Sequence, residues 1–319
     1  MFTCSRVHAI TSKSFFILLN PSILILKKTI MLQLNLIHPQ ASDITYKTLI
    51  FPDGQPHIVF DFTQNPLSFR RNKTQNSENT EGANIIARIA NPTDLFTVLM
   101  AKDVLDAHGF ERIDLTISYL MAARMDRQMT ESEPFSLRIV AALLNQAGFR
   151  RISIFDPHSD VSTALILRSK AVGNEGFVSN CLNHFYQNQA RDNYALISPD
   201  AGALKKIYKV AQFVAAPSVI ECSKTRNVKT GQLSGFNTQV VDFQGKTCFI
   251  VDDICDGGGT FVGLAALLKS RNAGKIVLIV SHGIFSKGFD LANIDAIYTT
   301  DSFKDFENVP NHVVVLPFK

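Results

Sequence analysis

The chain has no uninterrupted apolar run that would cross a membrane. The stretch at 15–26 is broken by Asn20 and Pro21 and is shorter than the ~20 residues a spanning helix needs. A membrane partner is therefore not expected. The chain also lacks a disulfide framework and a zinc pattern. Its five cysteines, Cys4, Cys181, Cys222, Cys248 and Cys255, are odd in number and never stand as C-x-x-C, which fits a reducing, cytoplasmic setting. Sustained charge of one sign is missing too. The formal net charge of +4 is matched by Arg6, Lys13, Lys27 and Lys28, all within residues 1–30, where there is no Asp or Glu. The remainder is near neutral and offers no basic stripe to nucleic acid. No tract is compositionally biased, and 46% hydrophobic with 19% charged residues is what a folded globular chain carries.

At 319 residues the chain exceeds what one core usually organises, so two domains are expected. Residues 1–30 are expected to lie outside the fold. Their apolar run has the flanks of a secretory signal, but no small-residue cleavage site follows, and Lys27-Lys28 stands where one should be. Met31 reads as the functional start.

From Met31 onward, short apolar runs alternate with amphipathic stretches, the pattern of βαβ units and a mostly parallel sheet. Asn91-Pro92-Thr93-Asp94 has helix-start chemistry, apolar periodicity runs over 95–107, and Gly109 supplies the stop. Residues 113–120 read as a buried strand. Pro134 opens a second helix closed by Gly148, and a strand at 151–155 leads into the loop Asp156-Pro157-His158-Ser159-Asp160. The second half repeats the grammar: a strand at 194–197, the loop Ser198-Pro199-Asp200-Ala201-Gly202, a helix to about 210 and a strand at 212–215. A strand at 246–251, a helix at 261–271 and a strand at 275–280 follow. Residues 63–84 read as an exposed loop or hairpin extension.

The segment most loaded with chemistry is Asp252-Asp253-Ile254-Cys255-Asp256-Gly257-Gly258-Gly259-Thr260. A buried strand brings two adjacent carboxylates to its carboxyl end, and glycines then allow a tight turn into a helix amino terminus. Unpaired N–H groups and the helix dipole favour a phosphate there, and Thr260 adds a hydroxyl. Carboxylates accept from the hydroxyls of a ribose diol and also hold magnesium through its waters. Taken alone, the same string would also serve as a strand-turn-helix with capping aspartates, Asp200 as a helix cap, and Cys222 and Cys255 as small buried residues.

This segment resembles the phosphoribosyl-binding loop shared by type I phosphoribosyltransferases and ribose-phosphate pyrophosphokinases. Ala123-Arg124-Met125-Asp126-Arg127, Glu133-Pro134 and Asp156-Pro157-His158 are similar, in order and spacing, to the ATP-binding half of the pyrophosphokinases. Ser198-Pro199-Asp200-Ala201-Gly202 and Phe51-Pro52-Asp53-Gly54-Gln55 resemble further motifs of that family. The resemblance implies two α/β domains of phosphoribosyltransferase-like architecture: 31–160 binding ATP, 161–302 binding the ribose phosphate, and 303–319 returning to the first. It implies transfer of the β,γ-diphosphate of ATP, with Mg2+, to the anomeric hydroxyl of ribose 5-phosphate. It implies too that Asp53, Gly54 and Gln55 reach ATP from a neighbouring subunit of a homo-oligomer, with Arg124, Met125 and Asp126 along the nucleotide. His158 and Asp200 would bind magnesium, and Lys224 with Arg226 would act from a mobile loop. Asp252, Asp253, Asp256, Gly257, Gly258, Gly259 and Thr260 would bind the ribose phosphate.

Three features depart from the family pattern. Gln55 replaces the usual Glu, Met125 the usual Gln, and Gly257-Gly258 the usual Thr-Ala of the phosphate loop. The last change removes a hydroxyl and side-chain volume, so a wider pocket and a larger acceptor such as ADP-ribose, in an NAD-rebuilding pathway, form a second expectation. An inert regulatory paralogue and a plain phosphoribosyltransferase are the remaining readings.

Overall fold

The structure, a computed structural model, describes residues 31–63, 82–191, 193–226 and 233–318. The strands are β1 (Met31–Asn35), β2 (Thr45–Ile50), β3 (Pro56–Asp61), β4 (Gly82–Ile89), β5 (Arg112–Leu120), β6 (Arg151–Phe155), β7 (Ser169–Val172), β8 (Tyr194–Ser198), β9 (Val219–Arg226), β10 (Leu233–Thr238), β11 (Thr247–Cys255), β12 (Ile276–Gly283), β13 (Ala296–Thr300) and β14 (Val313–Leu316). The helices are α1 (Pro92–Ala107), α2 (Ser136–Gln146), α3 (Val161–Leu165), α4 (Glu175–Phe185), α5 (Leu204–Val214) and α6 (Gly259–Ser270).

Two sheets organise the chain. The first runs β1-β4-β5-β6-β7 and is parallel throughout. The second runs β10-β9-β8-β11-β12-β13-β14 and is parallel except for the β9–β10 edge pair. The central strand β12 is a near-continuous apolar run, as a parallel strand covered on both faces must be, whereas β5 alternates apolar with polar residues. One apolar cluster fills the first half, and two fill opposite faces of the second sheet. The fold class is thus the expected α/β one. A separate β2–β3 hairpin contributes Ile44 and Ile58 to the first core.

Local chemistry explains the helix ends. The Asn91 side chain accepts from Asp94 N–H at 3.0 Å, the Asp94 carboxylate accepts from Ala90 N–H at 2.8 Å, and Pro92 occupies the first turn of α1. Gly109 follows with φ +83°, a left-handed conformation that favours glycine. The strand expected at 212–215 is the last turn of α5 instead. Ile207, Val210 and Val214 recur at helical spacing and are buried, and Ala215 stops the helix at φ 51°. Pro134 precedes α2 rather than opening it, since the helix starts at Ser136. Of the extension expected at 63–84, residues 64–81 lie outside the described residues, as do residues 1–30, and β4 starts at Gly82.

The first sheet extends past the changeover expected near residue 161. Strand β7 pairs with β6, from Ile152 with Ser169 to Phe155 with Val172, so the first sheet runs on to Val172. A four-residue edge strand carries too little periodicity to be seen in the sequence. The carboxy-terminal segment divides its contacts. Strand β14 pairs with β13, whereas Phe303 packs on Tyr119 and Phe318 on Phe155 of the first half. Arg88 also donates to the Asp301 carbonyl at 2.6 Å, and Ser118 Oγ to that of Ser302 at 2.8 Å.

His282 lies in this seam, buried, with its ring edge-on to Tyr119 and Phe155. Its Nε2–H donates to the Asp156 carbonyl at 3.2 Å and its Nδ1 faces Ser302 Oγ at 2.7 Å. Burial lowers its pKa below the ordinary 6.5. The unfolded chain takes up this proton near pH 6.5 and the folded chain only at lower pH. Stability from this group is therefore complete above that value and lost as pH falls below it. Urea midpoints should drop as pH falls below 6.5. His282→Gln is expected to lower the plateau yet flatten that dependence, and an unchanged slope would assign it to other groups.

Candidate active site

The carboxyl ends of β5, β6, β8, β11 and β12 converge where the two sheets meet, the edge at which open α/β sheets bind ligands. At its centre is Asp253, 6% exposed. It accepts from His158 Nδ1 at 2.7 Å and lies 3.9 Å from Lys206 Nζ. Lys206, on α5, pairs with the buried Asp156 at 2.9 Å and donates to the Pro157 carbonyl at 2.7 Å. Asp156 is completed by Ser281 Oγ at 2.5 Å and Asn174 Nδ2 at 2.9 Å. A chain of charges thus crosses from the first half to the second.

The adjacent carboxylates of β11 are electrostatically unequal. Burial alone would push Asp253 up, but the hydrogen bond from His158 and the Lys206 charge outweigh it and hold Asp253 below the carboxylate range. Burial and the neighbouring Asp253 charge drive Asp252 well above that range, with Asp200 adding to the push. The hydrogen bond to Asp253 raises His158 above its ordinary value.

Past β11 the chain turns through Asp256, Gly257 and Gly258 into α6. Gly258 has φ +75°, and α6 has no side-chain cap. Among the described residues, the N–H groups of Gly257, Gly259 and Thr260 meet no acceptor, so three oriented donors line the mouth of the turn. Asp256 lies beside them, held by Ser286 Oγ at 2.6 Å and by Arg124 Nη1 at 3.1 Å. These contacts, the Ser286 bond first, lower its pKa, and Lys287 adds to the effect.

Arg124 also borders a cavity of about 340 Å3 lined by Met125, Asp126, Glu133 and His158. Ser159 Oγ donates to Asp126 at 2.7 Å, and Met125 is exposed to the opening. The glycine turn and the cavity are thus linked by the Arg124–Asp256 contact, and His158 lines the cavity.

The structure therefore brings together Arg124, Met125, Asp126, His158, Asp253 and Asp256. Asp200 caps a short turn, accepting from Gly202 N–H at 2.9 Å and Ala203 N–H at 3.2 Å, and its charge acts on Asp252. The helix-cap reading of Asp200 therefore holds. Asp53, Gly54 and Gln55 close the β2–β3 hairpin, with the hydrogen bonds of Gly54 and Gln55 kept inside the turn. Lys224 and Arg226 fall on the backbone of β9, which pairs with β10, and their side chains lie outside the described residues. Cys222 and Cys255 are buried, and burial pushes Cys255 up to about 12, so neither serves as a nucleophile. Lys206 and Ser286 were not legible in the sequence, since each looks like an ordinary surface residue until the halves meet.

Among the described residues no three His, Cys, Asp or Glu side chains form a metal cage. Magnesium needs less, because it keeps several waters and takes one or two carboxylates together with substrate phosphates. The carboxylates at the site suit such an ion, and His158 has Nε2 left over once Nδ1 is engaged.

Fold and site together define an α/β protein of phosphoribosyltransferase architecture, and the phosphoribosyl transferase domain family matches residues 174–313. The structure superposes on phosphoribosylpyrophosphate synthetase from Mycobacterium smegmatis with a TM-score of 0.69 at 21% identity, covering 90% of this chain and 94% of that one. Ribose-phosphate pyrophosphokinase of Thermococcus kodakarensis is 30% identical over 214 residues, 66% of this chain and 73% of that protein. That of Corynebacterium glutamicum is 27% identical over 284 residues, 86% and 85%. The chain belongs to the ribose-phosphate pyrophosphokinase family.

The glycine turn is open to a direct check. A Cβ on Gly258 would run into Leu291 and require a left-handed backbone, whereas one on Gly259 meets nothing within 4 Å. Gly258→Ala is expected to lose about 1–3 kcal/mol in chemical denaturation, with Gly259→Ala nearly neutral.

Proposed function

We propose that the protein transfers the β,γ-diphosphate of ATP to the anomeric hydroxyl of ribose 5-phosphate, giving phosphoribosyl pyrophosphate and AMP. The observation that carries this reading is the Arg124–Asp256 contact, which sets a turn with unpaired amides against the cavity beside His158. A phosphorylated sugar on one side and a nucleotide on the other fit that arrangement.

In this reading the amides of Gly257, Gly259 and Thr260 hold the 5-phosphate. Asp252, rather than Asp253, takes the ribose diol, because Asp253 is enclosed and already committed to His158. Arg124, Met125 and Asp126 lie along ATP. Magnesium, held by Asp200 and His158 with its waters, would neutralise phosphoryl oxygens. The anomeric oxygen forms a bond to the β-phosphorus as the bond to the α-phosphoryl oxygen breaks. AMP leaves, and the hydroxyl proton is lost to solvent. Positioning and charge neutralisation carry such a transfer, and Lys224 and Arg226 supply further positive charge from β9. Asp53, Gly54 and Gln55 would enter from a neighbouring subunit. Their hairpin exposes Leu49, Ile50 and Phe51, an apolar patch suited to self-association.

A larger acceptor would need open space at Gly257. The stem of Lys287 crosses that space, about 3.5 Å from where a Cβ would stand. Ribose 5-phosphate is accordingly the acceptor we favour.

Incubation with ATP, magnesium and ribose 5-phosphate, analysed by mass spectrometry, should yield AMP and a diphosphorylated pentose phosphate. ADP as product, or no AMP, would rule the reading out; AMP formed only with ADP-ribose would transfer it to that acceptor. Lys224→Ala is expected to cut kcat by roughly 100- to 1000-fold, the scale of one lost transition-state contact, with little change in KM.

A further inference from the structure

The phosphate turn is built from glycines, so backbone amides and the Thr260 hydroxyl are its own donors, and it carries no cation. The neighbouring strand exit supplies one. After β12 the chain folds back on the turn: Ile284 N–H and Phe285 N–H both donate to the Cys255 carbonyl, at 2.8 and 3.1 Å, and Ser286 N–H donates to that of Asp256 at 3.3 Å. Phe285 takes φ 46° and Gly288 φ 81°, and Gly288 N–H closes onto the Phe285 carbonyl at 3.0 Å. These bonds fix where residue 287 leaves the backbone.

Lys287 then lies along the turn. A Cβ built on Gly257 would meet its Cδ and Cε at 3.5 Å and its Cγ at 3.8 Å, ordinary van der Waals contact. The stem therefore covers the face that glycine leaves bare, and Nζ lies one bond beyond Cε. Among the described residues no hydrogen bond or ion pair engages that ammonium, while Asp256, on which its charge acts, is already held by Ser286 and Arg124.

We propose that Lys287 is a binding residue for the phosphate monoester of the acceptor, its ammonium completing a site whose other donors are the amides of the glycine turn. Gly257 makes this possible, because a branched side chain there would displace the lysine stem. The proposal rests on the reading of the turn as the acceptor-phosphate site. A solvated lysine with a merely covering stem is the competing account.

Steady-state kinetics on the full-length protein separates the two. Lys287→Met keeps the stem and removes the charge. KM for ribose 5-phosphate should rise about tenfold with kcat within about twofold, since a charge-assisted hydrogen bond is lost. Lys287→Arg should restore most of the loss. Unphosphorylated ribose, offered as a poor acceptor, should not distinguish Lys287→Met from the unaltered protein. Gly257→Thr should raise KM in the unaltered protein and add little to Lys287→Met, because both act through the same contact. An unchanged KM in Lys287→Met, or equal losses on ribose and ribose 5-phosphate, would overturn the proposal. Calorimetric titration with ribose 5-phosphate keeps the test independent of turnover. If the unaltered protein forms no AMP but binds the sugar phosphate more tightly than Lys287→Met, the reaction assigned above fails and the role of Lys287 stands.

Discussion

A buried carboxylate at the end of β6 governs how the two halves meet. Asp156 is 2% exposed and sits at φ 38°, a left-handed conformation that a non-glycine residue holds only where its surroundings insist. Its oxygens are satisfied by Asn174, Ser281 and Lys206, all from the second half. An unpaired carboxylate at that depth would cost several kcal/mol, so separating the halves is penalised beyond the loss of their apolar contact. The aromatic packing of Tyr119 on Phe303 and of Phe155 on Phe318 closes the same seam.

The site's electrostatics follow from that seam. Lys206 cannot neutralise Asp156 without also approaching Asp253, and His158, two residues after Asp156, is brought onto Asp253 by the same loop. Asp253 is therefore held ionised, and its charge, with burial, drives the adjacent Asp252 the other way. Two identical side chains side by side on one strand are held in opposite electrostatic states, one committed to the seam through His158 and the other bonded to the Asp253 N–H.

Several elements were plain in the residues. The Asn91-Pro92-Thr93-Asp94 cap announced α1, and the apolar runs announced β5, β6, β11 and β12, because capping bonds and burial periodicity act over a few neighbouring residues. The carboxylate and glycine string announced the turn into α6 for the same reason. The strand expected at 212–215 failed because Gln212, Phe213 and Val214 read equally well as an apolar strand or as the end of an amphipathic helix. Only the shared buried face with Ile207 and Val210 decides. Strand β7 escaped notice because a short edge strand owes its existence to its partner.

By itself the sequence determined the α/β alternation, the two-sheet organisation, and the glycine turn into α6, all set by local backbone chemistry and patterning. The tertiary structure alone decided that Lys206 bridges Asp156 and Asp253, that Arg124 meets Asp256 across the seam, and that Lys287 fills the space above Gly257. Those contacts join residues from about 30 to more than 130 positions apart, and such partners are chosen by where the strands end in space rather than by any pattern along the chain.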